Sequence, residues 1–253
     1  MNAFFIGLQF LTRIKLRQQS EWSAEYFGKS VKFFPLIGAV LGLILAAAAY
    51  VFFVLLPIFN IYLPAHLTAS MLLILSVVLT GGLHCDGFMD TMDGIFSGRE
   101  RERMLEIMKD SCVGSNAVMA FVLFMLTKWS LLLDMSGGQL IVALFVMPII
   151  ARMAMVIGIT LFPYARPEGM GKAFAVYANK KSLFYAAIFT FVFILPFGFS
   201  AIISMVGVFI FAILFGRYCT KILGGLTGDV YGALTELSEL LVLCIFVLVV
   251  QIL

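Results

Sequence analysis

The stretch FPLIGAVLGLILAAAAYVFFVLL, residues 34–56, contains no charged side chain. A bilayer's hydrocarbon core is about 30 Å thick, and a helix needs roughly 20 apolar residues to cross it. This run is long enough, and it lacks the period-2 alternation of a strand. Further apolar runs occupy residues 63–83, 113–133, 139–162 and 234–253. Residues 183–215 form one more, too long for a single crossing and punctuated by Pro196, Gly198 and Ser200. Splitting it there predicts an all-α, polytopic transmembrane helix bundle of about seven spans, one integral membrane domain over residues 1–253. The composition agrees. Hydrophobic residues make up 62% of the chain and charged residues 12%, whereas soluble domains carry roughly 25% charged.

Charge distribution predicts orientation. Fifteen of the seventeen Lys and Arg fall in the segment before the first span and in alternate gaps after it. They are Arg13, Lys15, Arg17, Lys29 and Lys32, then Arg99, Arg101, Arg103 and Lys109, then Arg166, Lys172, Lys180 and Lys181, then Arg217 and Lys221. The other gaps hold none. By the positive-inside rule the N-terminus is cytoplasmic. The chain is then a multi-pass protein of the cell membrane, surrounded by lipid. A net charge of +3, without a continuous basic patch, argues against a nucleic-acid partner. Residues 2–14 place Phe4, Phe5, Leu8 and Leu11 at helical spacing ahead of the first cations, which predicts an amphipathic helix at the cytoplasmic interface. Those cations follow the apolar stretch, so no cleaved signal peptide is expected. Four cysteines without CxxC or metal-ligand spacing read as reduced thiols.

The chemistry concentrates in His84-Cys85-Asp86-Gly87-Phe88-Met89-Asp90-Thr91-Met92-Asp93-Gly94. Asp86, Asp90 and Asp93 follow i, i+4, i+7 and share a helical face about 60° wide. Three like charges on one stripe repel. A solvated helix end would tolerate them, but carboxylates at a membrane boundary are functional candidates, and Mg²⁺ suits hard oxygen ligands. The charged segment 99–110 reads mainly as a solvated helix, with Lys109 and Asp110 nearest the next span. Arg166 and Lys172 lie in a Gly-containing loop suited to an anion. Thr227 and Asp229 close a Gly-rich segment before the last span, and Glu236 and Glu239 share a face within it. Arg152 needs a carboxylate or phosphate partner in its span, and Lys128 is expected to snorkel. His84 is assigned a supporting rather than catalytic place. No P-loop, kinase or Rossmann signature is present.

The sequence resembles the cobalamin synthase family, the adenosylcobinamide-GDP ribazoletransferases. The resemblance rests on GGLHCDGFMDTMDG followed by GRERERMLEIMKDS, on Phe10-Leu11-Thr12-Arg13, on Tyr164-Ala165-Arg166 with Glu168-Gly169, and on GGLTGD ahead of Glu236 and Glu239. Lys15 and Cys112 depart from the family's usual residues, outside the acidic core. The resemblance implies transfer of the adenosylcobinamide-phosphate moiety from adenosylcobinamide-GDP to α-ribazole or its 5′-phosphate. GMP would be released, with Mg²⁺ as cofactor. Asp86, Asp90 and Asp93 would be the catalytic and metal-holding residues. Arg13, Lys109, Asp110, Arg166, Lys172, Thr227, Asp229, Glu236 and Glu239 would be substrate contacts. Self-association is left open. The acidic repeat also resembles the aspartate motif of CDP-alcohol phosphotransferases, which leaves a lipid phosphotransferase as an alternative, and a cation-coupled transporter as another. The transporter fits poorly with carboxylates gathered at one boundary and with no internal repeat.

Overall fold

A computed structural model describes residues 2–16, 23–135 and 137–252. Arg17 of the first basic cluster and Leu253, the end of the last expected span, lie outside these residues. The described chain is helical, with one isolated bridge between Tyr164 and Leu226. In order the helices are α1 (Asn2–Leu11), α2 (Ala24–Ser30), α3 (Phe34–Tyr50), α4 (Leu56–Ile58), α5 (Ala65–Thr80), α6 (Leu83–Phe96) and α7 (Arg101–Ile107). There follow α8 (Ser115–Asp134), α9 (Gly137–Leu161), α10 (Met170–Tyr177), α11 (Lys180–Ile194), α12 (Gly198–Leu223) and α13 (Gly228–Ile252).

Helix α9 is the hub. Most of its residues from Leu140 to Ile159 are buried, with α3, α11, α12 and α13 packed around it. Gly38 and Gly42, four apart on α3, let that helix approach closely. A side chain at either would strike the backbone of Phe145, Pro148 or Ile149. Small residues at such spacing are how helices pack in lipid, where hydrophobic attraction between them is absent.

Five helical runs among the described residues are long and apolar enough to cross a membrane, and a sixth is reached if one bent pair counts as a span. The expected number was seven. The difference arises mainly in Lys180–Leu223, a single 44-residue apolar run. It is interrupted at Leu195–Phe197 and at Gly198, whose φ is +77°. Phe191 before the break and Phe209 after it line the same groove beside α9, so the run doubles back there. The bent pair is α5 and α6, which meet at 90°. Gly81 and Gly82 both adopt left-handed backbone, φ +65° and +73°, a conformation costly for other residues. The bend turns the acidic helix away from the axis of the apolar one.

The N-terminal helix does more than the expected interfacial helix would. Ile6, Leu8 and Leu11 are at most 1% exposed, and α1 packs on α2 and α3. Phe4 and Phe5, on the same helix, are only partly covered.

Candidate functional site

Helix α6 lies against the first turns of α13. The contact is close because Gly87 faces Asp229: a Cβ at Gly87 would come within 2.8 Å of the Asp229 carbonyl oxygen. Gly232, one turn on, faces the backbone of His84 and Gly87 in the same way. This packing sets Asp229 beside the acidic face of α6. Asp86 is exposed and Asp90 half-buried. Burial first, then the neighbouring Asp229 and Asp86 carboxylates, push Asp90 up to about 7. That shift reflects lost hydration before it reflects like charge.

Arg166 is the cation within this group. Its Nη1 donates to Asp229 Oδ2 at 2.7 Å. Thr227, wholly buried, donates its hydroxyl to the same oxygen at 3.2 Å and accepts from Val230 N, capping α13. The loop carrying Arg166 is clipped to the segment carrying Asp229. Ala165 N donates to Leu226 O and Leu226 N to Pro163 O, each at 2.8 Å. From the first turn of α10, the exposed Lys172 donates through Nζ to the Pro167 carbonyl of that loop.

Asp93 is the most buried of the three aspartates on this face. It is 8% exposed. Its carboxylate accepts from Gly114 N at 2.5 Å and from Ala117 N at 2.8 Å. The first N–H groups of a helix lack internal acceptors, and Gly114, at the N-cap of α8, has no side chain to supply one. Asp93 supplies it from another helix. Asp90 thus has Asp86, Asp93, Asp229 and Arg166 as its charged neighbours.

Glu236 and Glu239 are also placed differently from the substrate contacts expected. Both are 5% exposed, deeper along α13. Lys128 Nζ donates to Glu236 at 3.0 Å and to Glu239 at 2.7 Å, and Arg152 pairs with the other Glu239 oxygen. Cys85 Sγ, beside Asp86 on α6, donates to Glu236 Oε1 at 3.5 Å. Two cations and two carboxylates neutralise one another inside the bundle. Lys128 does not snorkel; it is 3% exposed because its partners lie inward. Arg152 finds the carboxylate partner it required. No single sequence segment showed this network, since its members come from α6, α8, α9 and α13.

The remaining candidates lie at the periphery. Arg13 N donates to Leu79 O at 2.8 Å, and its side chain lies over Gly81. With Thr80, Gly82 and Asp86 it lines a polar basin of about 520 Å³ at the start of α6. Lys109 and Asp110 are exposed, and the Asp110 carboxylate accepts from Cys112 N at 3.0 Å, ordering the loop before α8. A second, mostly apolar cavity of about 140 Å³ lies on the other side of Asp86. Phe10, His84, Met155, Phe174, Asp229 and Tyr231 are among its walls.

The carboxylates supply hard oxygen donors. Among the described residues no three His, Cys, Asp or Glu side chains converge tightly enough to cage a metal by themselves. Magnesium seldom uses such a cage; it is held by one or two carboxylates together with substrate phosphate oxygens. Asp86 and Asp90 fit that requirement, and a cation would lower the cost of ionising Asp90 among its neighbours.

A family model described as cobalamin-5-phosphate synthase matches residues 3–247. A protein of Desulfitobacterium hafniense named adenosylcobinamide-GDP ribazoletransferase is 40% identical over 249 residues, covering 96% of this chain and 95% of its own. Proteins of the same name from Clostridium acetobutylicum and Fusobacterium nucleatum are 36% and 33% identical, covering 94% and 98% of each chain respectively. No solved structure matches.

Proposed function

Because the chain belongs to the cobalamin-5-phosphate synthase family, we propose that it is an adenosylcobinamide-GDP ribazoletransferase. It transfers the adenosylcobinamide-phosphate moiety of adenosylcobinamide-GDP to α-ribazole or its 5′-phosphate and releases GMP. A ribose hydroxyl of the acceptor attacks the phosphorus that bears the corrinoid alcohol. The new P–O bond forms as the bond to GMP breaks, and an aspartate of the cluster accepts the hydroxyl's proton. Arg166 offsets negative charge on the phosphate oxygens, held in place by Asp229. Arg13, at the mouth of the polar basin, draws the anionic donor toward Asp86. Asp86 and Asp90 would hold a magnesium ion, which when bound neutralises charge on the diphosphate.

The observation that carries this reading is the meeting of Asp86, Asp90, Asp229 and Arg166. It occurs in a chain aligned over nearly its whole length with proteins of that name. We place the site on the cytoplasmic side of the cell membrane, where the basic gaps lie by the positive-inside rule.

The test is GMP release by full-length protein in detergent micelles, from adenosylcobinamide-GDP and α-ribazole. Asp90→Asn is expected to lower turnover by about 100-fold or more, the scale of losing a principal electrostatic group. Chelation of divalent cations should silence the wild type, and added Mg²⁺ should restore it. Near-normal turnover by Asp90→Asn would remove the acidic cluster from the mechanism.

A further inference from the structure

The Arg166 guanidinium is only half used by the protein. Its side chain is 10% exposed, and Nη1 is engaged by Asp229. Nε and Nη2 are buried and have no hydrogen-bond partner. Those two nitrogens lie on one edge of the guanidinium plane, with N–H bonds running nearly parallel. That two-pronged edge matches a pair of oxygens on one phosphate. Donors of a charged group left without acceptors away from water are costly, and native proteins keep few of them without a reason.

The surroundings orient this edge. Asp229 Oδ2 receives both Arg166 Nη1 and the Thr227 hydroxyl, so the carboxylate is itself pinned. The backbone clip between Pro163, Ala165 and Leu226 sets the Arg166 loop against the Thr227–Asp229 segment. Tyr231, 3% exposed, stacks obliquely on Tyr164 at 6.3 Å, and its hydroxyl too lacks a partner.

We propose that the Nε/Nη2 edge of Arg166 is a bidentate subsite for one phosphate of the nucleotide-activated donor, with Asp229 as the positioning residue that presents it. The inference rests on the transferase reading and adds a division of labour to it. Asp229 serves the arginine rather than a metal, and the aspartates of α6 face the phosphates from the other side.

Arg166→Lys keeps the charge and the reach to Asp229 but removes the fork. In full-length protein it should lower kcat/KM for adenosylcobinamide-GDP on the order of 100-fold, with an unchanged melting midpoint. Inorganic pyrophosphate should raise the melting midpoint of the wild type and of Arg103→Gln, which loses an exposed cation paired with Glu106. It should not raise that of Arg166→Lys. Wild-type-like turnover and pyrophosphate stabilisation in Arg166→Lys, alongside an inactive Asp90→Asn, would overturn the subsite and leave the transferase reading standing. If the wild type releases no GMP, that reading falls and the pyrophosphate comparison alone decides the subsite. Should Arg166→Lys fail to fold, a structure of the wild type with pyrophosphate decides. Phosphate oxygens within hydrogen-bond distance, about 3 Å, of Nε and Nη2 support the subsite. Pyrophosphate bound elsewhere, or not at all, refutes it.

Discussion

Both oxygens of Asp93 are occupied by backbone N–H groups of α8, while Asp86, two turns earlier on the same face, is exposed. Substitution at these positions should therefore fail in different ways. Asp93→Ala removes a cap and strands buried donors, which costs about 1–3 kcal/mol. Asp93→Asn, which still offers one acceptor, should cost less. Asp86→Asn should leave stability unchanged and depress turnover. Melting midpoints and GMP release, measured on the same preparations, separate the two cases. A stable Asp93→Ala protein would show that the cap is dispensable.

The charged side chains of α8, α9 and α13 form a neutral network of Lys128, Arg152, Glu236 and Glu239. Burying charge is expensive, and breaking a buried pair costs more than never having made it. Lys128→Met should cost about 3–5 kcal/mol, because two carboxylates then share one cation. Adding Glu236→Gln to it should recover part of the loss, since the uncompensated charge is removed. Additive rather than compensating losses in denaturant titrations would rule out direct coupling. The same network reaches Cys85, adjacent to Asp86, so it also seats the acidic helix on its neighbours.

At the scale of the molecule, orientation can be read from a single thiol. Cys112 is exposed, Cys85 and Cys219 are buried, and Cys244 is intermediate. The hydrogen bond to Asp110, and then its charge, raise the Cys112 thiol above the ordinary value, so labelling should quicken as pH rises through the alkaline range. A membrane-impermeant maleimide should label Cys112 in inside-out vesicles and leave it unlabelled in intact cells. Labelling from outside would reverse the topology and carry the acidic cluster to the other face.

Membrane embedding and helical class were legible in the run of residues 34–56 and its counterparts, because the energetics of lipid act on local composition and length. The acidic face of α6 and the candidacy of Arg166 and Asp229 were legible for a similar reason: charge beside apolar spans is rare enough to stand out. What only the tertiary structure decided was which charge meets which. Asp93 turned out to cap a helix that starts more than twenty residues later. Glu236 and Glu239 turned inward to Lys128 and Arg152, and Asp229 took a place beside Asp90. Helical periodicity gives a side chain's direction from its own axis. The partner it finds there depends on how the helices cross, which Gly87 and Gly232 set through a backbone contact that no local pattern encodes.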